Sequence, residues 1–468
     1  MNDSPADAAT SAAPATGDAG GAAAATGPAG DRPGHRWSRR RVVAGAAGAA
    51  VVLAAGVTGV ALTRRRGHAP WGDPARAFPA RAFTDSVGVN LHMSYLNTPY
   101  GDRGAVRDAL RRARIRHVRD GWDADRDDVL EAYRDLVADG VRLDLIVGTP
   151  GPGGEFSSEL RRQLEGLAEE LPVGVRTLEG PNEYDLSDDP DWVQNLRAYH
   201  RALAELVDDG TAGRDYDLVA PSFVHGDSRA AVGPLPADFG NLHSYTGGDH
   251  PTESHLDREL DLASEVSGDA RVMATETGYN TATANEDGQP GVPEDVAAVY
   301  VPRQFLENYR RGVARTFTYE LVDEHPDPDL TVSESNYGLL RHDWSEKASF
   351  TALARMMELL DDAPGEHGTE DLPHTVETSA GSPLRRLLVQ KSTGEHYLAV
   401  WLEAPVWAYD SGEAVAPETA QARLVLPEGF SARALHRLTG PARQEELSGR
   451  EVTFTVTPEA QFIRVERD

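Results

Sequence analysis

From residue 86 onward the chain alternates two hydrophobic patterns. Short apolar runs are each followed by a longer stretch whose apolar positions recur every three to four residues, the signatures of strand and amphipathic helix. Ser86-Val87-Gly88-Val89-Asn90 predicts a first strand and 104–114 its helix; 115–119 predicts a second strand, with a helix over 129–138. The rhythm continues with strands at 143–147, 175–179, 218–220, 239–243, 271–275 and 315–319, and helices at 159–171, 192–207, 259–266, 296–309 and 347–360. Eight strands alternating with helices over roughly 280 residues is the pattern of an α/β fold of the (β/α)8 TIM-barrel kind. A doubly wound open sheet is the rival, disfavoured because no Gly-x-Gly-x-x-Gly turn follows the first strand.

After Asp362 the period changes to that of strands alone. Runs 387–391 and 397–401 flank a Ser392-Thr393-Gly394 turn, a hairpin signal, and 423–426, 452–456 and 462–465 continue the β pattern. This predicts a small C-terminal all-β sandwich of about 100 residues, with 72–84 as a candidate further strand of it. The expected domains are a barrel over 67–362 and a sandwich over 363–468, packed together.

The first 35 residues, rich in Ala, Gly, Thr and Pro, are expected to be disordered. Segment 36–66 carries Ser38-Arg39-Arg40-Arg41-Val42-Val43, an uncharged apolar run from 42 to 62, and Arg64, Arg65 and Arg66 behind it. The start resembles a twin-arginine export signal, and the run is long enough to span a bilayer, which takes roughly 20 residues. A cleaved signal and a membrane anchor at 42–62 both fit, and both place the bulk of the chain outside the cytoplasm, extracellular or at the cell surface. The formal net charge of -29 argues against a nucleic-acid partner. With no cysteine, disulfides, thiolate metal sites and cysteine nucleophiles are excluded. No metal-binding spacing motif is present, and no cofactor is expected.

The chemistry gathers at predicted strand ends. Leu178-Glu179-Gly180-Pro181-Asn182-Glu183-Tyr184 and Val272-Met273-Ala274-Thr275-Glu276-Thr277-Gly278-Tyr279 each run from strand-like residues into carboxylates beside Gly, Pro or Asn. Active sites of parallel barrels lie at this end of the strands. Two carboxylates are what glycosidic cleavage requires, one to donate a proton and one to attack or act as base. Singly, either glutamate is more simply a loop or helix-start carboxylate; their company changes that.

That company resembles glycoside hydrolase clan A, the (β/α)8 retaining glycosidases. Asn182-Glu183 matches the clan's Asn-Glu after strand four, Glu276 its glutamate after strand seven, His243-Ser244-Tyr245 its His-x-Tyr after strand six, and Arg119 its arginine at the end of strand two. The stretch Tyr337-Gly338-Leu339-Leu340 with Glu346-Lys347-Ala348 resembles the clan's approach to its last helix. The resemblance implies Glu183 as acid/base and Glu276 as nucleophile in double displacement on a β-linked glycoside, with an oligo- or polysaccharide as partner. Asn182 would bind the sugar 2-hydroxyl, and Arg119 and Tyr245 would hold Glu276. An ionised Glu276 nearby is expected to raise the pKa of Glu183. Arg119 is alternatively an internal ion-pair partner, of Asp120. Tyr184, Trp122, Tyr279 and Tyr319 stand where aromatic faces stack on sugars; rim packing is the simpler reading for Tyr184 and Trp122. Glu320 stands where many members carry Trp, as a substrate contact or a replacement, and His92 is a weaker contact. Glu179 is expected inside its strand, pointing elsewhere. A catalytically silent cell-surface glycan-binding protein on the same fold is the alternative, and a transglycosylase would use the same residues.

Overall fold

The computed structural model describes residues 73–122, 126–213, 216–286, 288–365, 367–441 and 443–468. The first 35 residues and the 42–62 run with its arginines lie outside them. Among the described residues no helix is long and apolar enough to cross a membrane.

A short strand, β1 (Ala77–Pro79), and helix α1 (Ala80–Thr84) lead into a closed parallel barrel. Its strands are β2 (Val87–Asn90), β3 (His117–Gly121), β4 (Arg142–Ile146), β5 (Val175–Glu179), β6 (Asp217–Val219), β7 (Phe239–His243), β8 (Arg271–Thr277) and β9 (Thr316–Thr318). The helices between are α2 (Arg103–Ala113), α3 (Asp127–Ala138), α4 (Ser158–Glu170), α5 (Trp192–Asp208), α6 (Gly226–Val232), α7 (Glu253–Ser267), α8 (Glu294–Arg310) and, after β9, α9 (Ala348–Leu360). The sequence pattern anticipates each barrel strand and all of these but α1 and α6.

Local chemistry sets the bounds. In α2 the Asp102 carboxylate accepts from the Ala105 N–H at 3.0 Å, a cap worth about 1 kcal/mol, and Arg114 ends the helix in the left-handed region (φ 55°). Between them Val106, Ala109, Leu110 and Ala113 form one buried stripe. The barrel closes where β2 pairs with β9, and Gly88 permits it: a Cβ there would lie 2.4 Å from the Phe317 ring. Phe317 with Val219 and Met273 forms an apolar cluster of strand residues from β6, β8 and β9.

The C-terminal strands are β10 (Thr375–Thr378), β11 (Leu384–Gln390), β12 (His396–Leu402), β13 (Trp407–Ala408), β14 (Glu413–Ala414), β15 (Ala420–Val425), β16 (Phe430–Arg437), β17 (Gln444–Gly449), β18 (Glu451–Val456) and β19 (Gln461–Arg467). One sheet has the order β1-β11-β12-β19-β16-β17 and a second β10-β15-β18. Strand β1 joins the first sheet parallel to β11, with Ala77 opposite Leu388.

Every residue of β12 is buried, which is why its sequence shows no polar alternation. Leu398, Val400 and Leu402 pack into the sandwich core, while Tyr397, Ala399 and Trp401 join the large barrel core. Polar anchors add to this contact: Arg303 donates to the Ala404 carbonyl at 2.9 Å, and the Tyr300 hydroxyl accepts from the Val406 N–H at 2.9 Å. The sheets thus complete the barrel's outer face.

Candidate active site

The C-terminal ends of the barrel strands bring together most of the residues singled out from sequence. Arg119 on β3 is the organising group, with 2 % of its side chain exposed. Its Nε and Nη2 donate to both oxygens of Glu179 at 2.8 and 2.7 Å. Nη1 donates to Glu276 Oε1 at 2.6 Å, and Nη2 also reaches Asn182 Oδ1 at 2.7 Å. The ion-pair partner of Arg119 is therefore Glu179, with Glu276, and not Asp120. Asp120 instead accepts from the N–H groups of Met93 and Gly121, at 3.0 and 2.8 Å. Glu179 does not point elsewhere; it points inward and anchors the guanidinium.

A supporting layer fixes these groups. Asn241 Nδ2 donates to Glu179 Oε1 at 3.0 Å, and Thr275 Oγ1 donates to Asn241 Oδ1 at 2.6 Å. Ser222 Oγ accepts from the Glu183 N–H at 3.1 Å and donates to Asn182 Oδ1 at 3.2 Å. Asn182 thus accepts through its oxygen and keeps its amide N–H groups as donors. Glu183 sits in the left-handed region (φ 45°), rare for a side chain without a local hydrogen bond to its own backbone, and is held there by Ser222 and the following 3₁₀ turn Tyr184–Leu186.

His243 stands between the two catalytic candidates. Its Nδ1 lies 2.5 Å from Glu183 Oε1 and 3.5 Å from Glu276 Oε2. Facing atoms of all three lie within 4.8 Å of one another. The Tyr245 hydroxyl donates to Glu276 Oε2 at 3.0 Å. Burial alone would lower the pKa of His243, but the charges of Glu276 and Glu183 outweigh it and the imidazole is raised. Burial alone would raise Glu183, but His243, with help from Arg119, lowers it. The expected rise at Glu183 is thus reversed, because an imidazolium lies closer to it than Glu276 does. Both directions favour the proton on the His243 side of the 2.5 Å contact with Glu183.

The aromatic expectations divide. The Tyr319 ring lies 5.4 Å from Tyr337, which in turn lies 5.8 Å from Tyr245, and together they form one wall beside Glu276. Trp122 does not offer an open face: it is buried and stacked on Tyr133 at 6.4 Å. Tyr279 is buried, with its hydroxyl donating to the Asp249 carbonyl at 2.9 Å. Tyr184 is half-buried and tied to Asp189 at 2.9 Å, so its hydroxyl is already used. Glu320 is 0 % exposed and accepts from the Tyr100 hydroxyl at 2.8 Å, so it lies within the wall and not on its surface. Burial, then the charge of Glu324, pushes its carboxyl well up.

Several contributors escape the sequence pattern: Asn241, Thr275, Ser222, Tyr100, Glu324 and Glu334. Glu334 is exposed at the mouth; desolvation in the cleft, then the charges of Glu276 and Glu183, raise its carboxyl. Asn241 and Thr275 carried a signal, since both are polar residues inside otherwise apolar strand runs. The others lie in loops whose course only the folded chain reveals.

The fold defines a (β/α)8 barrel with an attached β-sandwich and a carboxylate-lined cleft at the strand ends. No protein-family model and no curated protein matches the sequence. Solved structures do match. A family 39 glycoside hydrolase from the gut symbiont Bacteroides cellulosilyticus WH2 superposes with a TM-score of 0.54 at 16% identity, covering 84% of this chain and 82% of that one. The GH39 enzyme from Xanthomonas axonopodis pv. citri gives 0.53 at 14% identity, covering 84% and 96%. A monomeric beta-xylosidase from Caulobacter crescentus CB15 gives 0.51 at 13% identity, covering 86% and 98%. The chain has the fold of these glycoside hydrolases, and the matched share exceeds what the barrel alone supplies.

Proposed function

We propose that this protein is a retaining glycoside hydrolase of clan A that cleaves a β-linked glycoside of an oligo- or polysaccharide by double displacement. One observation carries the reading: Glu183 and Glu276, from the ends of β5 and β8, face each other across His243 with their oxygens and its ring nitrogen within 4.8 Å. Retaining enzymes hold their two carboxyl groups about 5–5.5 Å apart, whereas inverting enzymes leave about 6.5–9.5 Å for a water. The close pair supports direct attack.

In this reading Glu276, aimed by Arg119 and Tyr245, attacks the anomeric carbon. Glu183 passes the proton of the Glu183–His243 pair to the leaving oxygen. The proton lost from water in the second step returns to the same pair as water opens the glycosyl–Glu276 ester. The amide N–H of Asn182 meets the sugar 2-hydroxyl, a contact that strengthens as the oxocarbenium develops. The partly exposed rings of Tyr319 and Tyr245, with buried Tyr337 between them, supply the wall against which the sugar lies. A pentose β-glycoside is the first substrate to try, given the β-xylosidase among the structural neighbours. The 42–62 run with its flanking arginines supports action outside the cytoplasm, by export or anchoring.

The test is covalent trapping with a panel of 2-fluoro glycosides, read by intact mass and peptide mapping. Label on Glu276, and none on Glu276→Gln, is the expected result. Label on another carboxylate keeps the reaction and overturns the site. No label with any sugar, with glycan binding retained, replaces the enzyme by a silent glycan-binding protein.

A further inference from the structure

A second cluster lies in the cleft wall behind Tyr319. His92, just after β2, brings Nε2 to 3.6 Å from Glu320 Oε2 and 3.9 Å from Glu324 Oε1. The facing atoms of the three residues all lie within 4.8 Å of one another. His92 Nε2, Glu320 Oε1 and Glu324 Oε1 are sealed from solvent and have no hydrogen-bond partner in the protein. Glu320 is wholly buried, and among the described residues neither glutamate has a lysine or arginine at ion-pair distance. Buried carboxylates without a cation are costly, and such orphaned lone pairs call for a positive centre.

The surroundings hold these groups in place. The His92 ring is stacked on Tyr95 at 4.9 Å and edged by Tyr100 and Tyr319 at 5.7 and 5.5 Å. The Tyr100 hydroxyl donates to Glu320 Oε2 at 2.8 Å, the kind of outer partner that orients a metal-binding carboxylate.

We infer that His92, Glu320 and Glu324 bind a divalent transition-metal ion of the zinc type. Size and ligand chemistry favour it. Ligands about 2.1 Å from a tetrahedral ion stand about 3.4 Å apart. Acceptors about 2.8 Å from an ammonium stand about 4.6 Å apart. The 3.6 and 3.9 Å separations fall nearer the metal. One imidazole suits zinc, whereas calcium and magnesium prefer oxygen ligands throughout. Two carboxylates and a neutral imidazole balance a double positive charge. The ion sits in the wall that Tyr319 shares, beside the reacting carboxylates and not between them. No spacing motif displays this set, because its members follow the first and last barrel strands.

The experiment is titration of chelator-stripped, full-length protein with ZnCl₂ by calorimetry, together with zinc content after desalting. It needs no turnover, so it stands or falls separately from the glycosidase reading. One equivalent of zinc per chain is expected, weakened at least about tenfold by Glu324→Gln and unchanged by Glu428→Gln, an exposed site in the sandwich. Replacement by Co²⁺ is expected to give visible absorption that His92→Ala abolishes. Because Glu320 is sealed in the wall and its loss threatens folding, the half-buried Glu324 and His92 carry the test. No saturable uptake, or uptake indifferent to both Glu324→Gln and His92→Ala, overturns the inference.

Discussion

Replacing Arg119 by Met tests the site's electrostatic design without any substrate. The guanidinium makes two bonds to Glu179 and one to Glu276, all at 2.6–2.8 Å, while Glu179 has only 1 % of its side chain exposed. Removing one partner of a buried ion pair costs about 3–5 kcal/mol, because the other charge is left unsolvated. The Asn241 donor at 3.0 Å remains and offsets only part of that loss. Methionine fills a similar volume, so the cost is electrostatic and not a cavity. Urea unfolding followed by tryptophan fluorescence is expected to show a lowered midpoint with unchanged slope. Arg119→Met/Glu179→Gln, which removes both charges, is expected to recover a coupling of about 2–3 kcal/mol relative to the sum of the single variants. A single-variant loss under about 1 kcal/mol, or strict additivity in the pair, would refute the reasoning, since either means that Glu179 does not depend on Arg119 for its burial.

Two further outcomes concern the reaction. In the wild type the alkaline limb of kcat/KM reports loss of the proton held by the Glu183–His243 pair, and His243 is raised above its ordinary 6.5. In His243→Gln only the Glu183 carboxyl holds that proton, so the limb moves to lower pH by at least about one unit; an unmoved limb would show that His243 takes no part. Tyr245→Phe removes the 3.0 Å bond to Glu276 Oε2, worth about 1.5–3 kcal/mol to a charged acceptor. A fall in kcat/KM of about 10- to 100-fold follows, and an unchanged rate would dismiss the contact as incidental.

The barrel was legible because its strands are short, apolar and punctuated by amphipathic helices. The elements that went unread have specific reasons. Strand β16 loses its alternation at a bulge between Ala432 and Ala434, and β17 is a run of largely exposed polar residues. Helix α6 is a single short stretch inside a long loop. Glu183 and Glu276 stood out in the sequence as carboxylates near strand ends, which converge in any closed parallel barrel, whereas Arg119, His243 and Tyr245 were singled out by the resemblance alone. Their pairing was not legible. Which carboxylate receives Arg119 depends on side chains crossing the barrel interior from β3 to β5, and neighbouring positions Glu179 and Asp120 are equivalent on paper. The pKa of Glu183 was misjudged for the same reason, since sequence order does not reveal that His243 intervenes. Trp122 and Tyr279 misled because an aromatic next to a strand end serves equally well to pack beneath a loop.

The pairing of β1 with β11 ties folding to the timetable of synthesis. Ala77 emerges early, but its partner Leu388 leaves the ribosome only after the whole barrel has been made. At about 5–20 residues per second the wait is about 15–60 s. During that interval the first strand has no sheet to join, and the barrel surface that later receives Tyr397 and Trp401 stays bare. Residues 430–467, which supply β16, β17 and β19, must then complete the sheet that β1 begins. A nascent chain of this design is a holding problem before it is a folding problem, since the barrel's outer face is covered only once β12 has been made.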